Sequence, residues 1–200
     1  MENHTKQQFW NNMPKLPILE KTKQYVSGGI VMEPKMVQKP AFLLAGFAIK
    51  TTTKDGENLK AIPRFWSDVM SDGRMEKLHK EAFLKSHDEY GACFPENHEN
   101  GEFEYVLGVE VAEGCAISEE YHICTIPEAL YAVFSSPPAN GSNFVSSIQG
   151  TWRYIFSEWL PTSGYAFADN GVDFEFYDDR CMTETEKVCD MYIPVCKKMF

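Results

Sequence analysis

The 200-residue chain predicts an α+β fold in which two β-α-β-β modules form an antiparallel curved sheet, with two main helices on one side and a central cleft. Three observations predict it. Amphipathic helical spacing occurs twice, at Ile62, Phe65, Trp66, Val69 and Met70 and again from Val145 to Trp159. The two patterns sit in the same place within successive cycles of strand, helix, strand, strand, each with a Trp four residues after an Ile: Ile62 and Trp66, Ile148 and Trp152. The strand from Phe103 to Val111 alternates, with Glu104, Val106, Gly108 and Glu110 on one face and Phe103, Tyr105, Leu107, Val109 and Val111 on the other. That pattern suits an antiparallel sheet with one face covered.

Residues 1–35 read as a polar arm, punctuated by Pro14, Pro17 and Ser27-Gly28-Gly29, whose Phe9 and Trp10 could dock on the body. Residues 36–200 form the domain, with module one at about 36–112 and module two at about 119–200. Strand character begins at Met36, and Ala41–Ile49 is an apolar run in which Gly46 marks a bulge or a close approach. Lys54–Asn58 is a polar turn. The first helix follows, with Pro63 allowed in its first turn and Gly73 breaking the pattern before a charged helical piece to about Leu84. Asp88–Gly91 makes a turn or leads into the short strand Tyr90–Phe94, and Pro95–Glu102 is a charged loop.

In module two, Tyr121–Phe134 supplies strand material interrupted by Pro127, and Ser135–Gly141 is a loop. Val145, Ile148, Trp152, Ile155, Phe156 and Trp159 then form one helical stripe. Ser142 or Asn143 can cap its start, and Pro161 followed by Gly164 ends it. Val172–Tyr177 reads as a strand with Phe174 and Phe176 on one face and Glu175 and Tyr177 on the other. An acidic loop, Asp178–Glu186, precedes a closing strand, Val188–Cys196. A carboxylate among aromatic rings is desolvated, so Glu175 stays protonated, finds a donor or awaits a cation. The plainer alternative is a surface glutamate on a half-exposed strand. Glu158 reads as a helix-surface acid and Glu110 as an edge or salt-bridged one.

A formal net charge of −10, with no cluster of Lys and Arg, argues against a nucleic-acid surface. No apolar run approaches the roughly 18 residues of a membrane span, and no signal-peptide core is visible, so the expectation is a cytoplasmic protein without a membrane partner. The six cysteines include no C-x-x-C pair and the five histidines no H-x-x-x-H pattern, so neither metal nor other cofactor is expected. No Ser-His-Asp, Cys-His or phosphate-loop pattern appears.

The ordered set IPRFWSDVM, YGACF, YVLGVEV, CTIPEALYAVF, TWRYIFSEWLPTSGY, FEFYDD and YIPV resembles the GyrI-like effector-binding domains of AraC-type and MerR-type multidrug-responsive activators and their stand-alone relatives, over about residues 36–200. The resemblance implies a cleft for hydrophobic, often cationic small molecules, with Glu175 at its floor. Trp66, Trp152 and Trp159 would supply walls, with Tyr90, Tyr105, Tyr131, Tyr177 and Tyr192 as candidate tyrosines. Many relatives carry Glu after Ser-Gly-Tyr, where this chain has Ala166. No DNA-binding domain precedes the module, so the expectation is a stand-alone protein that senses or sequesters lipophilic, cationic compounds. Two alternatives follow from the same resemblance: a hydrolase of reactive xenobiotics or natural products using Glu175 and a cleft tyrosine, and a gyrase-inhibitory module that meets a protein partner through acidic residues around Glu96–Glu104.

Overall fold

The computed structural model describes residues 32–97 and 101–198, without the side chains of 95–97. The arm predicted over residues 1–35 therefore lies almost wholly outside the described residues. Of it, Met32 is held by the Tyr154 hydroxyl, which accepts from its amide at 3.2 Å.

Among the described residues nine strands, all paired antiparallel, make the sheet: β1 Lys35–Lys39, β2 Phe42–Thr52, β3 Leu84–Asn97, β4 Glu102–Val111, β5 His122–Ile126, β6 Ala129–Ser135, β7 Tyr165–Phe167, β8 Asp173–Tyr177 and β9 Asp190–Lys197. Their order is β1-β6-β9-β8-β3-β4-β2-β5, with β7 added to β9. The sheet is an open path, and the two halves of the duplication meet at the central β3–β8 pair. Each module also lends its first strand to the other: β1 pairs with β6 and β5 pairs with β2. The modules are interlocked through these exchanged strands.

Gly46 lies opposite Gly108 in the β2–β4 ladder, where an added Cβ would stand 2.1 Å from the Leu107 carbonyl oxygen. Close backbone approach, one of the two readings of Gly46, is the one realised. Of the two readings of Asp88–Gly91, a turn or an entry into a strand, the second is realised, and all four residues belong to β3. Its turn-forming residues make an irregularity between Leu84 and Glu89, where the Ser86 hydroxyl donates to Asp88 at 2.8 Å. β3 also runs on to Asn97, so the charged loop is shorter than the sequence suggests.

Helix α1 spans Asn58–Ser71, and a one-turn helix, α2, covers only Arg74–Leu78. Because α1 starts at Asn58, Pro63 sits in its second turn rather than its first. Proline offers no N–H to the carbonyl four residues back, that of Leu59. The Gln149 side-chain amide, from the second long helix, donates to that carbonyl at 3.5 Å. The second long helix, α3, is Phe144–Tyr154, and it continues through a widened π turn, Ile155–Trp159, into a last short turn, α4, Leu160–Thr162. Pro161 is thus inside the final turn, and the helix stops at Ser163-Gly164. Neither expected cap forms: Asn143 is the N-cap residue without a side-chain bond, and Asn140 accepts from the Ser142 hydroxyl at 2.7 Å and the Asn143 amide at 3.2 Å.

Strand parity decides which face each side chain joins. Ala45, Tyr105, Leu107 and Val109 pack under α1 with Phe65 and Val69, while Ala132, Phe134, Met191 and Ile193 pack under α3 with Ile148, Trp152, Ile155 and Phe156. Each such large apolar side chain contributes about 1.5–3 kcal/mol by leaving water. The opposite face carries its own cluster, in which Tyr90, Tyr131 and Phe174 are buried and Phe176 and Tyr192 pack beside them.

Candidate functional site

With both helices on one face and the module junction between them, the β3–β8 pair forms the floor of a cavity of about 630 Å³. Its walls come from α1 and α3: Ile62, Pro63 and Trp66 on one side, Val145, Ile148 and Trp152 on the other. Met70, Val145 and Met182 are exposed at the rim.

Glu175 stands on β8 directly opposite Gly91. Odd positions of β8 face the helices, so Asp173, Glu175 and Tyr177 all turn to the cavity while Phe174 and Phe176 turn away, as the alternation predicts. Three neutral groups donate to the Glu175 carboxylate. The Trp152 indole N–H reaches Oε1 at 2.8 Å, and the Tyr177 and Tyr105 hydroxyls reach Oε2 at 2.8 and 3.2 Å. The Tyr105 hydroxyl in turn accepts from the Trp66 indole N–H at 2.7 Å. The two matching tryptophans of the duplication therefore converge on one carboxylate, Trp152 directly and Trp66 through a phenol. Trp66 also packs on Tyr177, with ring centres 4.7 Å apart.

Hydrogen bonds to a charged group are worth about 1.5–3 kcal/mol each, and burying an ion costs several kcal/mol, so the two effects are of the same order. Burial wins. It pushes the Glu175 carboxyl above its ordinary range, against the pull of Trp152, Tyr177 and Tyr105, and the nearby charge of Asp173 adds to the rise. The same burial, with the charge of Glu175, holds both phenols well above the usual tyrosine range. They are donors, not anions. Among the described residues no Lys or Arg lines the cavity, whereas six carboxylates do: Asp88, Glu89, Asp173, Glu175, Asp178 and Asp179.

Of the residues named from the sequence, Trp66, Tyr105, Trp152, Glu175 and Tyr177 line this cavity. The others lie elsewhere. Tyr90 and Tyr192 occupy even positions facing the opposite side of the sheet, where the Tyr90 hydroxyl donates to Glu110 at 2.8 Å and Tyr192 stacks on Phe174 at 4.5 Å. Tyr131 is buried in the same cluster. Trp159 falls in the π turn and packs on Phe134, ring centres 5.0 Å apart, and on Tyr165. Glu158 is exposed, and Glu110 is paired with Lys85 at 2.7 Å, as the sequence suggests for both. The cavity adds residues that the sequence reading passed over: Asp173, two places before Glu175 and so on its face by simple parity, and a rim group of His79, His87 and Glu89. There His79 bonds Glu89 through Nε2 at 2.9 Å and meets His87 through Nδ1 at 3.1 Å. The spacing of Asp173 could have revealed it; nothing in the sequence brings His79 to β3.

This fold and this floor define an effector-binding module. Residues 35–195 match Cass2, and the chain belongs to this family of integron-associated effector binding proteins. It is 29% identical to the transcriptional regulator BrlR of Pseudomonas aeruginosa over 169 residues, 82% of this chain and 56% of that protein. It is 35% identical to a DNA gyrase inhibitor of Erwinia billingiae over 98 residues, 47% of this chain and 57% of that one. The chain thus spans a little over half the length of these relatives. Among solved structures, SAV2435 bound to tetraphenylphosphonium superposes with a TM-score of 0.68 at 19% identity, over 82% of this chain and 94% of that one. At that identity the likeness is one of fold, and it accords with the GyrI-like architecture expected from the sequence.

Proposed function

We propose that the cavity binds lipophilic, aromatic cations and that the protein senses or sequesters such compounds. The single observation that carries this reading is the partnering of Glu175: a desolvated carboxylate held by three neutral donors, with no Lys or Arg among the described residues lining the cavity around it. Once ionised, such a group is a counter-charge. A cation lacking its own hydrogen-bond donors loses little on leaving water, and its presence beside the carboxyl favours the ionised form that burial alone disfavours. The indoles of Trp66 and Trp152 and the ring of Tyr177 offer π faces, each worth about 0.5–2 kcal/mol to a desolvated cation. The binding of tetraphenylphosphonium by SAV2435, a protein of the same fold, supports the same chemistry.

The binding reading is favoured over a hydrolytic one by the phenols. Tyr105 and Tyr177 both spend their protons on Glu175, and each is held far from ionisation. Calorimetric titration with tetraphenylphosphonium and with tetraphenylborate, a probe of like shape and opposite charge, tests the proposal. The cation should bind and the anion should not, and Glu175→Gln should remove the difference. Equal binding of the two ions by the wild type would overturn it.

A further inference from the structure

We propose that His79 and His87, at the rim of the cavity, hold a divalent transition-metal ion through their Nδ1 atoms, with Glu89 orienting His79 from behind. His79 closes α2 as its C-cap residue, and His87 lies in the irregular stretch of β3 between Leu84 and Glu89. The two rings meet Nδ1 to Nδ1 at 3.1 Å, while Nε2 of His79 stands 2.9 Å from Glu89 Oε1. All three residues line the cavity. None of them donates to Glu175, so this site stands or falls separately from the cation-site reading.

The hydrogen-bond network assigns the protons. A carboxylate acceptor fixes the Nε2–H tautomer of His79, so its Nδ1 carries a lone pair toward His87. Two ring nitrogens come this close only with a positive centre between them: one shared proton, carried on Nδ1 of His87, or a metal ion in that proton's place. With metal–nitrogen bonds of about 2.0–2.1 Å, nitrogens 3.1 Å apart subtend about 100° at the metal, between the square and tetrahedral values. The carboxylate behind His79 is the arrangement that fixes a ligand ring and raises its basicity. Imidazole donors suit Zn(II), Ni(II) or Cu(II), whereas Mg(II) and Ca(II) take oxygen. Among the described residues no three His, Cys, Asp or Glu side chains form a metal-ligand group. The protein therefore supplies two ligands, and water completes the shell on the cavity side.

Cys115 and Cys196 are exposed and would offer competing thiolates, so the parent for the test is the full chain carrying Cys115→Ser and Cys196→Ser. Calorimetric titration of this protein with nickel(II) chloride should show saturable binding that releases about one proton per ion, the one shared by the two rings, read as a dependence of the heat on the ionisation enthalpy of the buffer. Glu89→Gln should weaken binding by about 10–100-fold, and His79→Gln and His87→Gln, which remove a ligand itself, by at least about tenfold. Nickel should raise the melting temperature of the parent and leave that of His87→Gln unmoved. His87 is exposed, so its replacement spares the core, and if His79→Gln fails to fold, His87→Gln and Glu89→Gln decide the matter. A parent without saturable binding, or binding that His87→Gln leaves unchanged and so belongs to other donors such as His122, would overturn the proposal.

Discussion

Gly91 stands directly across the central ladder from Glu175, and a methyl group in its place would lie 3.0 Å from the carboxylate Oε2 and 2.0 Å from the Tyr105 hydroxyl. The absence of a side chain is what lets the phenol reach the carboxylate. Tyr105 is 1% exposed, and its hydroxyl is held between the Trp66 indole N–H and the Glu175 carboxylate. Gly91→Ala should therefore break the Trp66–Tyr105–Glu175 chain and overpack the floor. The expected cost is about 1–3 kcal/mol in thermal or denaturant unfolding, with a loss of cation affinity in the same protein. Unchanged affinity would show that the Tyr105 contact is dispensable.

The displaced ionisation of Glu175 gives stability and binding opposite pH dependences. Its folded pKa lies above the ordinary value of 4.5, because burial outweighs the three donors. Between those two values the folded state holds more protons than the unfolded state, so the stability of the ligand-free protein is greatest below the window and falls as pH rises through it. Cation affinity runs the other way, falling as acidification neutralises the carboxylate. Glu175→Gln should flatten both curves, since the buried titrating carboxyl has been removed. Melting curves and titrations across the acidic range would check both signs.

The two tryptophans should differ in weight although the duplication makes them equivalent. Trp152 donates to the carboxylate itself, whereas Trp66 donates to the phenol behind it. Trp152→Phe should cost about 1.5–3 kcal/mol of anion stabilisation and Trp66→Phe about 1 kcal/mol, the ranges for charged and neutral hydrogen bonds. Trp152→Phe should also raise the pKa of Glu175 further, moving the pH at which cation binding fails upward. A midpoint that stays fixed would mean that the indole N–H does not support the anion.

Much of this was legible before any coordinates, because the informative signals were periodic. Spacing at 3.6 residues placed Trp66 and Trp152 on inward helix faces, and alternation at two residues put Glu175 and Tyr177 together and Phe174 apart from them. Irregular backbone carried no such signal. The break in β3 between Leu84 and Glu89 is built from residues that favour turns, and in the π turn Trp159 stays with the apolar stripe, packed on Phe134 in the core under α3 rather than in the cavity wall. The exchange of β1 and β5 between modules depends on long-range pairing that local patterns do not encode. Tyr90 and Tyr192 were placed with the cavity on residue type, and their parity, had it been counted from Glu175 through the ladder, puts them on the other face.

That other face supplies a paired test of the assignment. Glu110, 7% exposed, accepts from Tyr90 at 2.8 Å and from Lys85 at 2.7 Å, and Lys39 lies 3.7 Å away. Burial pushes its carboxyl up, but Lys85, Tyr90 and Lys39 together hold it below the ordinary range. Tyr90→Phe leaves one oxygen of a buried anion short of a donor, so it should destabilise the protein by about 1–3 kcal/mol. It should not change cation affinity, because the sheet separates Tyr90 from the cavity. Tyr177→Phe removes an equally short bond to Glu175, yet its site opens on the cavity, where water can replace the lost donor in the ligand-free protein. It should therefore leave the melting temperature nearly unchanged and weaken cation binding. Unfolding curves and titrations on the two variants should give this crossed pattern, and a Tyr90→Phe protein that lost affinity in proportion to stability would mean that the two faces act as one unit.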